Sequence, residues 1–202
     1  MVSSGAVGAG VSALGLTSYP KDVKTRQAAA AVGQARLMQE YESLFSQFEL
    51  YVAQLLLAAS DFQGNKNHIS DTIHHLLDHG QIIPIINEND SVAIEELRVG
   101  DNDMISAKVA KLVGAKHLIL FTSVDGLLDG DKIIEEVSDI SEVLGLVKNE
   151  TGKFSIGGMA SKLEAVAYAT SHGTHVTIAN GRNPEQLSEL VAGKGTGTKF
   201  KA

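Results

Sequence analysis

The sequence predicts an α/β fold, in the form of a three-layer αβα sandwich with a mostly parallel central sheet. Two observations lead to this prediction. Short apolar runs alternate with helical stretches along most of the 202 residues, as consecutive βα units require. The composition, with 44% hydrophobic and 20% charged residues, is typical of a globular protein. No shift in composition divides the chain, so one domain over residues 1–202 is predicted.

The first half of the chain contains five predicted elements. A helix is expected from Thr25 to Phe48, where apolar residues recur at three- and four-residue steps. The apolar run from Tyr51 to Ala58 predicts a strand buried on both faces, and Ser60 to Gly80 predicts a helix with a glycine cap. A strand at Ile82 to Ile86 and a helix near Asp101 to Val113 follow.

The second half continues the alternation. Ligands of such sheets bind beyond the carboxyl ends of the strands, so polar residues at those ends are candidate site residues. The predicted elements are a strand at His117 to Thr122, a turn at Asp125-Gly126, a helix from Met159 to His172 opened by Gly157-Gly158, a strand at His175 to Ala179, a helix from Pro184 to Ala192, and either a mobile tail or a last edge strand at residues 193–199.

A strongly acidic segment covers residues 85–107, with six acidic side chains and a single arginine. Its first polar group, Asn87 to Asp90, follows a predicted buried strand, and its second, Gly100 to Asp103, precedes a predicted helix. Carboxylate and amide groups in this place suit an amine-bearing ligand or Mg²⁺. The structural alternative is a polar loop followed by a helix N-cap, which accounts for Asp101 but not for its two neighbours.

Two glycine-rich turns can hold an anion. In the turn from Ser3 to Gly10, backbone N–H groups and a hydroxyl can surround a carboxylate or a phosphate. In the segment from Ser155 to Leu163, two adjacent glycines open a helix, and Lys162 follows within reach of a phosphoryl group. The alternative is an ordinary junction of loop and helix with an exposed lysine. Neither GxGxxG nor GxxxxGK[ST] occurs.

Several classes of function are disfavoured by composition. The absence of cysteine excludes disulfides, thiolate nucleophiles and thiolate-bound metals, and the net charge of −7 argues against nucleic acid. No apolar run is long enough to cross a bilayer, so a soluble, cytoplasmic protein without a membrane partner is predicted. His75 and His79 have the spacing of a metal pair but are interpreted as an exposed helix face, and no protein metal site is predicted.

Eight segments together resemble the amino acid kinase family, and within it the members that phosphorylate glutamate in the first step of proline synthesis. The pair INEND and GDND is the specific part of this resemblance. The segments cover nearly the whole chain and are SSGAVGAG, RQAAAAVGQARLM, VAQLLL, IIPIINENDSVA, VGDNDMISAKVA, LILFTSVDGL, GGMASKLEAV and GTGTKF.

The resemblance implies roles for single residues. Ser4, Asp90 and Asn102 are expected to bind L-glutamate, and Asp103 is expected to act in catalysis by organising the charged groups. ATP and Mg²⁺ are the expected cofactors, and Lys162 is the expected catalytic cation. The residues expected to bind ATP are Thr122, Ser123, Ile156, Gly157, Gly158, Met159, Ala160, Ser161 and Lys162.

The chain departs from the family pattern in three ways. The family's first strand, which carries a glycine-rich phosphate turn and a lysine, has no counterpart, so the amino end is predicted to be incomplete. Ser123 stands where Asp is frequent, and Ile156 stands where Thr is frequent. The RNA-modification-like (PUA) domain that follows the kinase domain in many relatives is absent from residues 1–202.

The resemblance also implies partners: self-association into a homo-oligomer, proline as a feedback inhibitor, and functional coupling to glutamyl phosphate reductase. Two alternatives stay open. One is a family member that acts on another acid, such as acetylglutamate or aspartate. The other is a catalytically silent binding protein, because the first strand is missing.

Overall fold

The computed structural model describes residues 1–64, 67–92, 102–130, 132–143 and 156–202. The chain divides into two compact units, Met1–Ile105 and Ser106–Ala202, and each is described by itself. The single kinase domain predicted for the whole chain therefore stays a prediction. Within the described residues, the helices are too short or too polar to cross a membrane.

The first unit pairs its strands in parallel. Strand β2 has β1 on one side, with Tyr51 opposite Ile82 and Leu57 opposite Glu88, and Val2 forms a parallel bridge to Ile86. The helices and strands are α1 (Ala6–Ala13), α2 (Val23–Phe45), a 3₁₀ turn (Ser46–Phe48), β1 (Tyr51–Leu57), a second 3₁₀ turn (Ala59–Phe62), α3 (Asn67–Asp78), β2 (Ile82–Glu88) and α4 (Asn102–Leu112), in which the division between the units falls.

Helix α2 begins at a carboxylate cap. The Oδ1 atom of Asp22 accepts the N–H of Thr25 at 2.8 Å, which satisfies one of the unpaired donors of the first turn. This bond stabilises the ionised carboxylate, and it therefore holds the pKa of Asp22 below its ordinary value.

Helices α1 and α2 approach each other at two glycines. A Cβ atom on Gly10 would lie 1.8 Å from the carbonyl oxygen of Ala29, and one on Gly33 would lie 1.7 Å from the carbonyl oxygen of Ala6. Only glycine permits such an approach, because any larger side chain would overlap the backbone of the other helix. The buried face of α2 therefore consists of small residues and one amide: Ala29, Ala30, Gly33 and Gln34.

The apolar residues that predicted α2 do not all form this buried face. Leu44 is exposed and Phe48 is 73% exposed. Strand β1 also differs from its prediction of burial on both faces, since Tyr51 is 62% exposed. Gln54 in the same strand is exposed too, and its amide donates to Gln34 of α2 at 2.9 Å.

The second unit contains a four-stranded sheet in the order β3-β7-β8-β6. Strands β3 and β7 are parallel, β6 and β8 are parallel, and β7 and β8 are antiparallel. The elements are β3 (His117–Thr122), β4 (Leu128–Asp129), β5 (Lys132–Ile133), β6 (Glu136–Val137), α5 (Ile156–Thr170), β7 (His175–Asn180), a 3₁₀ turn (Pro184–Gln186), α6 (Leu187–Val191) and β8 (Thr198–Phe200).

The predicted α/β class with mostly parallel strands is confirmed. The closing segment was predicted as a mobile tail or an edge strand, and both alternatives are wrong. Strand β8 lies between β7 and β6, and its residues Thr198 and Phe200 are buried. Its short length hid this position, because three residues give little pattern with which to distinguish an edge strand from a central one.

Candidate functional site

The turn before α1 separates a buried serine from an exposed one. Ser3 is 8% exposed, and its N–H donates to the carbonyl oxygen of Ile86 at 2.8 Å. Ser4 and Gly5 are exposed, and Gly5 has a φ of 98°, which favours glycine. Gly5 is the N-cap of α1 and, among the described residues, supplies no side-chain cap to its first turn. The turn therefore presents a hydroxyl and helix N–H groups beside the carboxyl end of β2, an arrangement that can bind an anion.

The exit from β2 is held in place by one amide side chain and one backbone hydrogen bond. Asn87 is 2% exposed, and its Oδ1 atom accepts the N–H of Glu88 at 2.8 Å. Asn89 donates its N–H to the carbonyl oxygen of Leu57 at 3.0 Å. These bonds position the half-buried Asp90 just beyond the strand. Asp90 thus follows β2 closely in the sequence, and Ser4 follows Ser3, whose N–H bonds to Ile86 of the same strand.

Asn87 is a candidate site residue to which the sequence assigned no separate role. Its buried Nδ2 atom has no hydrogen-bond partner among the residues that the structure describes. A buried amide donor without an acceptor is unfavourable, so an acceptor atom from a ligand or from another part of the chain would stabilise Asn87. The signal available in the sequence was its place as the first polar residue after an apolar strand.

Asn102 and Asp103 are the first two residues of α4 and are half-buried. They belong to the same unit as Ser4 and Asp90. That these four residues contact one ligand stays a prediction. The predicted N-cap Asp101 and the acidic residues Glu95 and Glu96 lie outside the described residues.

In the second unit, β3 and β7 end side by side, with Thr122 opposite Asn180. The carbonyl oxygen of Thr122 accepts the N–H of Gly181 at 2.9 Å, and Asn180 donates its side-chain amide to Asp125 at 2.8 Å. Thr122 and Ser123 thus lie at the carboxyl end of a parallel strand pair, as predicted. Asn180 was missed, although it also follows an apolar run in the sequence.

Helix α5 begins earlier than predicted. The sequence placed its start at Met159, after a loop, whereas the structure begins the helix at Ile156. The residues predicted to bind ATP from Ile156 to Lys162 therefore form the first two turns of α5, and Lys162 is half-buried.

The loop after β3 is fixed by a buried threonine of β8. Thr198 has an exposed fraction of 0%, and its Oγ1 atom accepts the N–H of Leu127 at 2.7 Å. A Cβ atom on Gly126 would lie 2.7 Å from the same oxygen, so the glycine leaves room for the hydroxyl. The closing GTGTKF segment therefore holds the loop that carries Ser123.

Replacing Thr198 with valine should destabilise the chain by about 1–3 kcal/mol, because the buried N–H of Leu127 would lose its acceptor. Urea unfolding should show this change, and Thr198→Ser, which keeps the hydroxyl, should lose less. Equal stability of the valine and serine variants would contradict the role of this hydrogen bond.

Residues 1–180 match the model of the amino acid kinase family. The chain is 41% identical to Glutamate 5-kinase of Clostridium acetobutylicum, covering 99% of this chain and 78% of that protein. It is 43% identical to Glutamate 5-kinase of Synechococcus elongatus, covering 100% of this chain and 57% of that protein. In several such relatives, therefore, the chain spans little more than half of the length.

Solved structures of lower sequence identity share the fold. A carbamate kinase from Giardia lamblia has a TM-score of 0.62 at 16% identity, over 98% of this chain and 80% of that one. The UMP kinase from Ureaplasma parvum has a TM-score of 0.59 at 12% identity, over 95% of this chain and 75% of that one. At these identities the likeness concerns the fold alone.

Proposed function

Because the chain belongs to the amino acid kinase family, we propose that it transfers the γ-phosphoryl group of ATP to the side-chain carboxylate of L-glutamate. The observation that carries this proposal is the identity of 41–43% over essentially the whole chain to proteins named Glutamate 5-kinase. The resemblance to the family is thereby confirmed. The product would be L-glutamyl 5-phosphate, at the first step of proline synthesis.

Glutamate binding is assigned to the first unit. Asp90 can accept hydrogen bonds from the ammonium group of glutamate, and Asn102 can either donate or accept. Ser4, exposed beside the glycine N-cap of α1, suits a carboxylate of the substrate. Asp103, in the first turn of α4, is proposed to organise the charged groups.

ATP binding is assigned to the second unit. Thr122 ends β3 and Ser123 follows it, and the first turns of α5 offer N–H groups to phosphate oxygens. The ammonium group of Lys162 would offset the negative charge on the transferring phosphoryl group. Mg²⁺ bound together with ATP would supply further positive charge there, and a carboxylate such as that of Asp103, proposed to organise the charged groups, is the kind of oxygen ligand that this ion prefers.

The chemistry requires little of the protein beyond binding and charge. The glutamate carboxylate, with an ordinary pKa of about 4.3, is already ionised at neutral pH and needs no general base. One of its oxygens forms a bond to the γ-phosphorus, and the bond from that phosphorus to the β,γ-bridging oxygen breaks, leaving its electron pair on ADP. Repulsion between the anions is the main obstacle, so in-line alignment and neutralising cations provide the catalysis.

Asp90→Ala and Asn102→Ala should raise the KM for glutamate by about 10- to 100-fold, as expected for hydrogen bonds to a charged ligand. The KM for ATP should change little. Steady-state kinetics with each substrate varied in turn measure both values. Asp78→Ala is the matched control, because it removes an exposed carboxylate at the end of α3 and should change neither KM value. Equal rises in both KM values would contradict the assignment.

Two rival functions predict different results. A family member acting on acetylglutamate would not need acidic groups for an ammonium, so it should prefer the acylated substrate, whereas our proposal expects free glutamate to be preferred. A silent binding protein should bind ligand without forming ADP. A comparison of ADP release with glutamate, acetylglutamate and aspartate distinguishes the three.

Further properties belong to the same proposal. ATP as donor would place the reaction in the cytoplasm, where the nucleotide is kept. Self-association, inhibition by proline and coupling to glutamyl phosphate reductase stay predictions from the family resemblance.

A further inference from the structure

We propose that Tyr41 of α2 is a positioning residue for glutamate, acting through Ser3 on the peptide group between Ser4 and Gly5. This inference rests on the proposed function, because it concerns the turn assigned above to the substrate carboxylate. Tyr41 does not belong to that turn, and it is separated from Ser3 by 38 residues in the sequence.

Two hydrogen bonds connect Tyr41 to the turn. The hydroxyl oxygens of Tyr41 and Ser3 lie 2.8 Å apart, and the Ser3 hydroxyl donates to the carbonyl oxygen of Ser4 at 3.1 Å. A serine hydroxyl has a single proton. Since Ser3 gives that proton to Ser4, the phenol must donate to Ser3. The chain of donors therefore runs from Tyr41 to Ser3 to Ser4.

This chain of donors orients the exposed peptide. In a trans peptide group the N–H points away from the C=O of the preceding residue. All peptide bonds between the described residues are trans. Holding the Ser4 carbonyl toward the Ser3 side chain directs the Gly5 N–H to the opposite side. The φ of 98° at Gly5 belongs to the same conformation. The relay thus fixes the direction of the amide donor of Gly5, next to Ser4.

The aromatic ring of Tyr41 is held independently of its hydroxyl. It stacks on Phe45 one turn later in α2, with ring centroids 6.3 Å apart and planes at 23°. Tyr41→Phe keeps this ring contact and removes only the first donor of the relay. Any effect on glutamate would then come from the loss of orientation, since the phenol itself is not assigned to the ligand.

The test measures glutamate binding to the full chain by calorimetry, together with KM values for glutamate and ATP. Tyr41→Phe should weaken glutamate binding by about 3- to 10-fold, the range for one neutral hydrogen bond, and leave the KM for ATP unchanged. Tyr51→Phe, the same change at an exposed tyrosine of β1, should bind glutamate as the unmodified chain does. Ser3→Ala with Tyr41→Phe should bind no more weakly than Ser3→Ala alone, because Tyr41 acts through Ser3.

Three results would overturn the inference. Unchanged glutamate affinity in Tyr41→Phe, with binding and activity present in the unmodified chain, removes the inference and leaves the proposed function intact. Equal weakening for glutamate and ATP would indicate a general structural role for the phenol. If the unmodified chain neither binds nor phosphorylates glutamate, the proposed function is contradicted and the inference falls with it.

Discussion

Gly33→Ala should destabilise the chain by more than about 3 kcal/mol, beyond the ordinary range for an overpacked site. The new Cβ atom would lie 1.7 Å from the carbonyl oxygen of Ala6, far inside van der Waals contact. Both partners belong to helices, so only a separation of α1 from α2 can relieve the overlap. Gly10→Ala meets the backbone of Ala29 in the same way and should have a similar effect.

Urea unfolding measures these changes, and α1 itself supplies the control. A Cβ atom on Gly8 would meet no atom beyond its own helix and chain neighbours within 4 Å among the described residues, so Gly8→Ala should stabilise the helix by about 0.5–1 kcal/mol through its better helix propensity. If Gly33→Ala proved as stable as Gly8→Ala, the close approach of the two helices would be wrong. The positions of Ser3 and Ser4 would then need revision, since both precede α1.

Lys162→Ala should lower kcat by about 100-fold or more, the size found when one preorganised charge-stabilising group is removed. The KM for glutamate should change far less, because the lysine is assigned to charge that develops on the transferring phosphoryl group. Steady-state and single-turnover kinetics measure the two effects separately. The control is Lys116→Ala, which removes an exposed lysine just before β3, at the end of the strand opposite Thr122. It removes the same charge and should leave kcat unchanged.

Other outcomes would remove Lys162 from this role. Equal losses in kcat and in glutamate affinity would indicate that it binds substrate and transition state alike. No loss in either would show that the cation in the first turns of α5 takes no part in the transfer.

Elements with a strong local pattern were predictable from the sequence. Strand β3 has the predicted bounds, His117–Thr122, because an apolar run of that length is followed by a turn. Helix α4 begins within a residue of its predicted start. The sequence also placed Asp90 and Thr122 at strand ends, where ligands of parallel sheets bind, and their part in ligand binding stays a prediction.

Features that depend on distant contacts were not predictable. The buried face of α2 is made of small residues because α1 packs closely against it, whereas periodicity favoured the larger Leu44 and Phe48. The central place of β8 depends on pairing with two other strands. The relay from Tyr41 to Ser3 crosses 38 residues. Neither local propensity nor hydrophobic periodicity records contacts of this kind.

Trapping the acyl phosphate tests the central proposal most directly. Hydroxylamine converts glutamyl 5-phosphate to a hydroxamate, which is measured by its colour with ferric ion. We expect hydroxamate when ATP, Mg²⁺ and glutamate are all present, and none when either substrate is omitted. The contradicting result is an absence of hydroxamate both in this chain and in a version extended at its amino end with the first strand of the family.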